Sequence, residues 1–221
     1  MKRISLRCLS VVFSIVMIFV IFSTEGYADR KSSPDQQQLN EIGWYIIVGD
    51  GQEVAQTFSP GLDGYLTQVS VMLNKQMGLD QYTGKPLSPG NIIVEIRTTI
   101  GDDPIIPSDN VLASAILAEV AVSEGILELY DIFFPNPPPL YTGESYAIVL
   151  RTDQTIPPDP MIYPGGYRWH MDADHVEDPY PFGDMMARSQ GTGDLWYVSD
   201  YWNEDATFIT YMLKLKGKDR R

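Results

Sequence analysis

Five carboxylates, Asp172, Asp174, Glu177, Asp178 and Asp184, fall within thirteen positions, with His175 among them. Calcium takes about six to eight oxygen ligands, and closely spaced carboxylates in a loop supply them. Asp172, Asp174, Glu177 and Asp178 are therefore the candidate calcium ligands. Their spacing is not that of an EF-hand, because the downstream Gly and bidentate Glu are missing. The alternative is a solvated acidic loop. His170 and His175, five positions apart, make a zinc candidate in composition only, since a Gly-, Pro- and Asp-rich loop imposes no geometry on them.

Aromatic residues crowd the same region. Tyr163, Tyr167, Trp169, Tyr180, Phe182, Trp196, Tyr197, Tyr201 and Trp202 lie within 40 residues. Sugars bind by laying C–H faces on such rings while polar groups bond the hydroxyls. The candidate ligand face is Trp169, Trp196, Tyr197 and Trp202, with Asp200, Asn203 and Glu204 orienting hydroxyls. The alternative is that these rings complete a core. Trp44 sits in an apolar run, 42–48, and is expected in the core.

Catalysis has little to work with. Paired carboxylates suit glycoside hydrolysis, and acidic residues are plentiful, but nothing singles out one pair. There is no Gly-x-Ser-x-Gly elbow, metalloprotease His–Glu pair, phosphate-binding Gly–Lys loop or dinucleotide fingerprint. The expectation is a protein that is not an enzyme, with a hydrolase as the least favoured alternative.

The elements that position these residues read as strands. Residues 66–73 alternate, with Val69, Val71 and Leu73 on one face and Gln68, Ser70 and Met72 on the other. Residues 92–98 set Ile92, Val94 and Ile96 opposite Ile93, Glu95 and Arg97. Further strands are expected at 42–48, 54–58, 111–122, 126–134, 146–151 and 207–215. Turns rich in Gly, Pro, Asn and Asp separate them, as at Ser88-Pro89-Gly90-Asn91 and Pro157-Pro158-Asp159-Pro160. Many short strands with such turns predict an all-β, antiparallel β-sandwich, jelly-roll-like. Residues 163–202 show the least alternation and are expected to be loop.

The N-terminus reads as a secretory signal. Lys2, Arg3 and Arg7 precede an apolar run over 9–22, and Gly26-Tyr27-Ala28 fits a small-x-small cleavage site. The run is 14 residues, short of the roughly 20 that cross a bilayer. The expected organisation is a signal peptide over 1–28, a flexible leader over 29–41, a β-sandwich domain over 42–216 and a basic tail over 217–221. The expected location is secreted or periplasmic, without stable membrane insertion after cleavage. An uncleaved signal anchor is the alternative. Cys8 is the only cysteine and precedes the apolar run, so cleavage leaves no thiol for disulfides, cysteine-ligated zinc or nucleophilic catalysis.

The formal net charge is −13, and losing Lys2, Arg3, Arg7 and Glu25 takes it to −15. That opposes nucleic-acid binding, which needs a basic face, and docking on anionic lipid.

Several segments resemble a known module. Ala55-Gln56-Thr57-Phe58-Ser59-Pro60-Gly61-Leu62 with Gly64-Tyr65-Leu66-Thr67-Gln68-Val69 is similar to the opening of a β-sandwich module of secreted bacterial "choice-of-anchor" exoproteins. Val94-Glu95-Ile96-Arg97-Thr98-Thr99, Val111-Leu112-Ala113-Ser114-Ala115, residues 140–151 and residues 205–211 follow in order. The resemblance spans about residues 43–213. It implies a jelly-roll sandwich outside the cytoplasm, similar in pattern to carbohydrate-binding domains. Many such modules carry a C-terminal sorting anchor; residues 214–221 are basic without an apolar helix, which favours a free domain. The combined expectation is a non-catalytic module binding a glycan or cell-surface polymer, with calcium as a possible cofactor. The alternative is a structural or adhesive surface protein without a small-molecule ligand.

Overall fold

This computed structural model describes residues 31–40, 43–49, 51–102, 104–154, 162–172, 180–189, 195–198 and 205–215. All but Lys31 belong to one compact unit, Ser32–Arg221. Fifteen strands form among the described residues. The first five are β1 (Ser33–Gln38), β2 (Trp44–Gly49), β3 (Gln52–Phe58), β4 (Gly64–Asp80) and β5 (Lys85–Leu87). Then come β6 (Ile92–Ile100), β7 (Ile106–Leu117), β8 (Glu128–Phe133), β9 (Pro139–Leu140) and β10 (Tyr146–Thr152). The last are β11 (Ile162–Asp172), β12 (Met185–Ser189), β13 (Tyr197–Val198), β14 (Asp205–Ala206) and β15 (Phe208–Lys214). A 3-10 turn at Glu119–Ala121 is the one helical segment among the described residues. No helix there is long and apolar enough to cross a membrane.

The fold is all-β and antiparallel, as the strand-and-turn pattern predicts. Strand order runs β1-β15-β4-β11-β2-β3-β10-β6-β7. Its centre is β4, whose first half pairs with β15 and β8 and whose second half pairs with β11 and β5. Between β2 and β3 a single pair, Gly49↔Gln52, joins the strands. There the sheet turns back over itself. Phe58 of β3 meets Phe208 of β15, ring centroids 6.3 Å apart, although those strands are not hydrogen-bonded to each other. One layer is therefore β1, β15, β4, β11 and β2; the other is β12, β3, β10, β6 and β7.

The core fills the space between the layers. Leu66, Val69, Val71, Leu73, Tyr167, Trp169, Phe208 and Met212 come from the first layer, and Val54, Phe58, Ile92, Val94, Ile96, Ile148 and Leu150 from the second. The alternation in 66–73 and 92–98 puts these side chains inward. Each such aliphatic or Phe side chain contributes about 1.5–3 kcal/mol on burial.

Four expectations change. Residues 33–38 are not a flexible leader: β1 pairs with β15, and its polar side chains suit an edge strand. The Gln36 N–H donates to Thr210 Oγ1 at 3.0 Å, and Tyr180 Oη donates to Gln36 Oε1 at 3.0 Å. Residues 162–172, expected as loop, form the long strand β11 between β4 and β2. Its core face carries Tyr167 and Trp169, and its other face carries the buried polar residues His170 and Asp172; this alternation over 167–172 is short, and Pro164, Gly165 and Gly166 before it read as a turn. The strand expected over 111–122 starts earlier, at Ile106, and ends at Leu117. Trp44 is 53% exposed rather than buried, because it opens β2 at the margin of the core that Ile46 and Val48 reach.

Candidate functional site

The second layer has an outer face that is as informative as its core face. Alternation turns Glu53 and Ala55 of β3, Ala147, Val149 and Arg151 of β10, Ile93, Glu95 and Arg97 of β6, and Met186 and Arg188 of β12 away from the core. Register aligns them in a row: Met186 opposes Ala55, Ala55 opposes Val149, and Val149 opposes Glu95. The small side chains of Ala55, Ala147 and Val149, with Met186 and Trp196, make a second apolar cluster. Arginine stems lie over this floor while their heads meet carboxylates.

The charges form one connected network. Arg97 donates to Glu95 Oε2 from Nε at 2.8 Å and from Nη2 at 2.5 Å. Arg151 donates to Glu95 Oε1 from Nε at 3.1 Å and from Nη2 at 2.7 Å. Arg97 Nη1 reaches Glu53 Oε2 at 3.4 Å, and Arg188 Nε reaches the same oxygen at 3.0 Å. Arg188 Nη2 then donates to Asp109 Oδ1 at 2.9 Å. Glu53, Glu95 and Arg97 are buried, whereas Asp109 is 85% exposed in its side chain. Three cations thus face three anions. Burial opposes the charge on Glu95, but the bonds from Arg151 and Arg97 outweigh it and hold the carboxyl below the ordinary glutamate range. Burial likewise opposes the charge on Arg188, and Asp109 and Glu53 outweigh it, raising its pKa.

At the edge of this network stands Trp196, 9% exposed, with the Arg188 guanidinium 4.6 Å from its ring centroid. Its indole Nε1–H is buried and has no acceptor among the described residues. A buried donor without a partner is costly. Tyr197, the next residue, begins β13 and is 56% exposed. Buried indole, stacked guanidinium, exposed phenol and exposed Asp109 therefore share one margin.

The expected ligand-face residues divide. Trp196 and Tyr197 are brought to this margin. Trp169 is not on it: the ring is fully buried in the core, and Nε1 donates to Thr207 O at 3.0 Å. The apolar surroundings that its neighbours on β2 and β4 supply are what place it there. Trp202, Asp200, Asn203 and Glu204 lie outside the described residues.

Of the expected calcium ligands, Asp172 is buried at the end of β11, opposite Asp205 of β14. Asp174, Glu177 and Asp178 lie outside the described residues, as does His175. Asp205 is committed to the chain itself: Oδ1 accepts from Gln56 Nε2 at 2.7 Å and Oδ2 from the Tyr180 N–H at 2.9 Å. Among the described residues no group of three or more His, Cys, Asp or Glu is arranged to hold a metal ion.

Sequence reasoning missed Glu53, Asp109, Arg151 and Arg188. The available signal was the outward face of β6, where Glu95 and Arg97 alternate with core residues. Their partners come from strands far away in sequence. No protein-family model matches this chain, and no curated protein matches it.

Proposed function

We propose that this chain is a non-catalytic, exported β-sandwich module that binds a glycan or surface polymer at the Trp196–Tyr197 margin. The observation that carries the reading is Trp196: a buried indole N–H without an acceptor among the described residues, capped by Arg188 and next to an exposed tyrosine. A sugar hydroxyl supplies the missing acceptor while its ring lies against Tyr197. The N-terminal charged and apolar segments support export. Glu95 is held below the ordinary glutamate range, the wrong direction for that residue to serve as a general acid at neutral pH. Calcium at Asp172, Asp174, Glu177 and Asp178 remains part of the proposal.

A structural or adhesive role is the second reading, and the burial of Trp169 favours it, because a ring counted toward a platform is core. A glycan array probed with the exported protein, in calcium and in chelator, tests the first reading. Binding that Tyr197→Ala removes supports it; an array without signal in either condition leaves the structural reading.

A further inference from the structure

The outer face of the other layer carries an arginine with no carboxylate partner among the described residues. Arg168 lies on β11, opposite Asn74 of β4 and Ile47 of β2. Alternation turns it away from Tyr167 and Trp169, which face the core. Arg97, Arg151 and Arg188 each hold carboxylates, yet Arg168 makes no ion pair among the described residues, in a chain of net charge −13. Its guanidinium lies 4.4 Å from the centroid of the Tyr45 ring instead. Among the described residues its buried Nε–H has no acceptor, and the buried Oδ1 of Asn74, on the residue directly opposite, has no donor.

The donor on Arg168 and the acceptor on Asn74 stand side by side on paired strands. Residues opposed across a strand pair stand about 5 Å apart at Cβ. Arg168 lacks an anion, and a guanidinium fork suits a carboxylate. Asn74 Oδ1 lacks a hydrogen-bond donor such as a hydroxyl. A phosphate ester would set an oxygen acceptor against the Asn74 oxygen. A neutral sugar would leave Arg168 unpaired, and a simple carboxylate would leave Asn74 unmet. A sugar acid presents a carboxylate and hydroxyls on one ring and meets both. Tyr45, 39% exposed, supplies the aromatic face on which a pyranose ring packs.

We infer that Arg168, Asn74 and Tyr45 form a receptor for a hexuronate unit of an acidic polysaccharide, on the layer opposite to the Trp196 margin. The sugar enters beside Tyr45, the exposed member. The carboxylate pairs with Arg168 and a hydroxyl donates to Asn74 Oδ1. This assignment stands on Arg168 and does not depend on the reading of the Trp196 margin.

The test is calorimetric titration of the full-length protein with digalacturonate, with the neutral digalactose of the same linkage as comparison. Digalacturonate should bind at least on the order of tenfold more tightly, the worth of one charge-assisted contact. Arg168→Gln should abolish the difference between the two sugars, and Arg168→Lys should recover only part of it, because the ammonium keeps the charge without the fork. Thermal unfolding of each variant reports folding. If Arg168→Gln does not fold, Tyr45→Ala carries the test, since its exposed ring is not core; a loss of digalacturonate affinity supports the receptor. Equal affinity for both sugars, no heat at millimolar digalacturonate, or affinity unchanged in the folded variants overturns it. Tyr197→Ala, at the Trp196 margin, should leave digalacturonate affinity unchanged, so either reading can fail alone.

Discussion

The guanidinium of Arg188 rests 4.6 Å from the centroid of the Trp196 ring while its Nε holds Glu53 Oε2 at 3.0 Å. One side chain thus joins the apolar floor of the outer face to its ion network. A desolvated cation–π contact is worth about 2 kcal/mol, and the carboxylate beneath it depends on the same group.

Arg188→Ala is expected to be strongly destabilising. It leaves buried Glu53 with the longer contact to Arg97 alone. It also uncovers Trp196. Breaking one partner of a buried pair costs about 3–5 kcal/mol. Urea unfolding checks this, and Trp196 fluorescence should shift red in the native baseline. A loss below about 1 kcal/mol would class the pair with surface bridges.

The acid side of the stability curve should carry two opposed contributions. The Glu95 carboxyl sits below its ordinary value. Its stabilisation is therefore complete above the unfolded glutamate value of about 4.3 and is lost as pH falls through the folded value. Asp35 has the opposite sign. Burial raises its carboxyl above the ordinary aspartate value, against the bonds from Gly61 and Gln36. The folded state then holds that proton more tightly, and stability falls as pH rises from about 3.9 through the raised value. Glu95→Gln should flatten the first slope and Asp35→Asn the second. Urea midpoints measured across acid pH separate them.

Gly165 is expected to be irreplaceable in β11. Its φ is +80°, and a Cβ there would stand 2.5 Å from the Gln76 carbonyl oxygen. Backbone, not a movable side chain, is in the way. Gly165→Ala should cost about 1–3 kcal/mol from the conformation alone, with the clash added. Gly84, at φ +67° with nothing within 4 Å, is the control, and Gly84→Ala should cost about 1–2 kcal/mol. Equal melting temperatures for the two variants would contradict this.

The parts of the fold legible in the sequence are those where alternation runs uninterrupted by Gly or Pro; a solvent-exposed face is not required, since Ser70, Glu95 and Arg97 are buried too. Val69, Val71 and Leu73, and Ile92, Val94 and Ile96, alternate with polar neighbours and all reach the core. In β11 the alternation over 167–172 is preceded by Pro164, Gly165 and Gly166, so the segment reads as loop. β1 was illegible for another reason: Ser33, Pro34 and Asp35 have no strand propensity, and pairing with β15 supplies the structure. The charged face was half legible. Glu95 and Arg97 stand out on β6, but Glu53, Arg151 and Arg188 arrive through pairing with β3, β10 and β12, which no local pattern encodes.

The two tryptophans on adjacent strands provide the sharpest test of that distinction. Trp44 lies in an apolar run and Trp169 among glycines, tyrosines and charges, so local composition assigns the first to the core and the second to a surface. Burial reverses them. Trp169 is fully enclosed and its Nε1 bonds to Thr207 O; Trp44 is 53% exposed at the start of β2. Register explains why: Trp169 opposes Ile46 and Leu73, in the middle of the layer, whereas Trp44 opposes Met171 near the end of β11. Trp169→Ala removes a filled core volume and the shorter of the two hydrogen bonds to the Thr207 carbonyl, for about 3–5 kcal/mol. Trp44→Ala removes partly solvated surface and should cost about 1 kcal/mol. Chemical denaturation of both variants decides it. A larger loss at Trp44 than at Trp169 would mean that β2 and β11 pair in a different register.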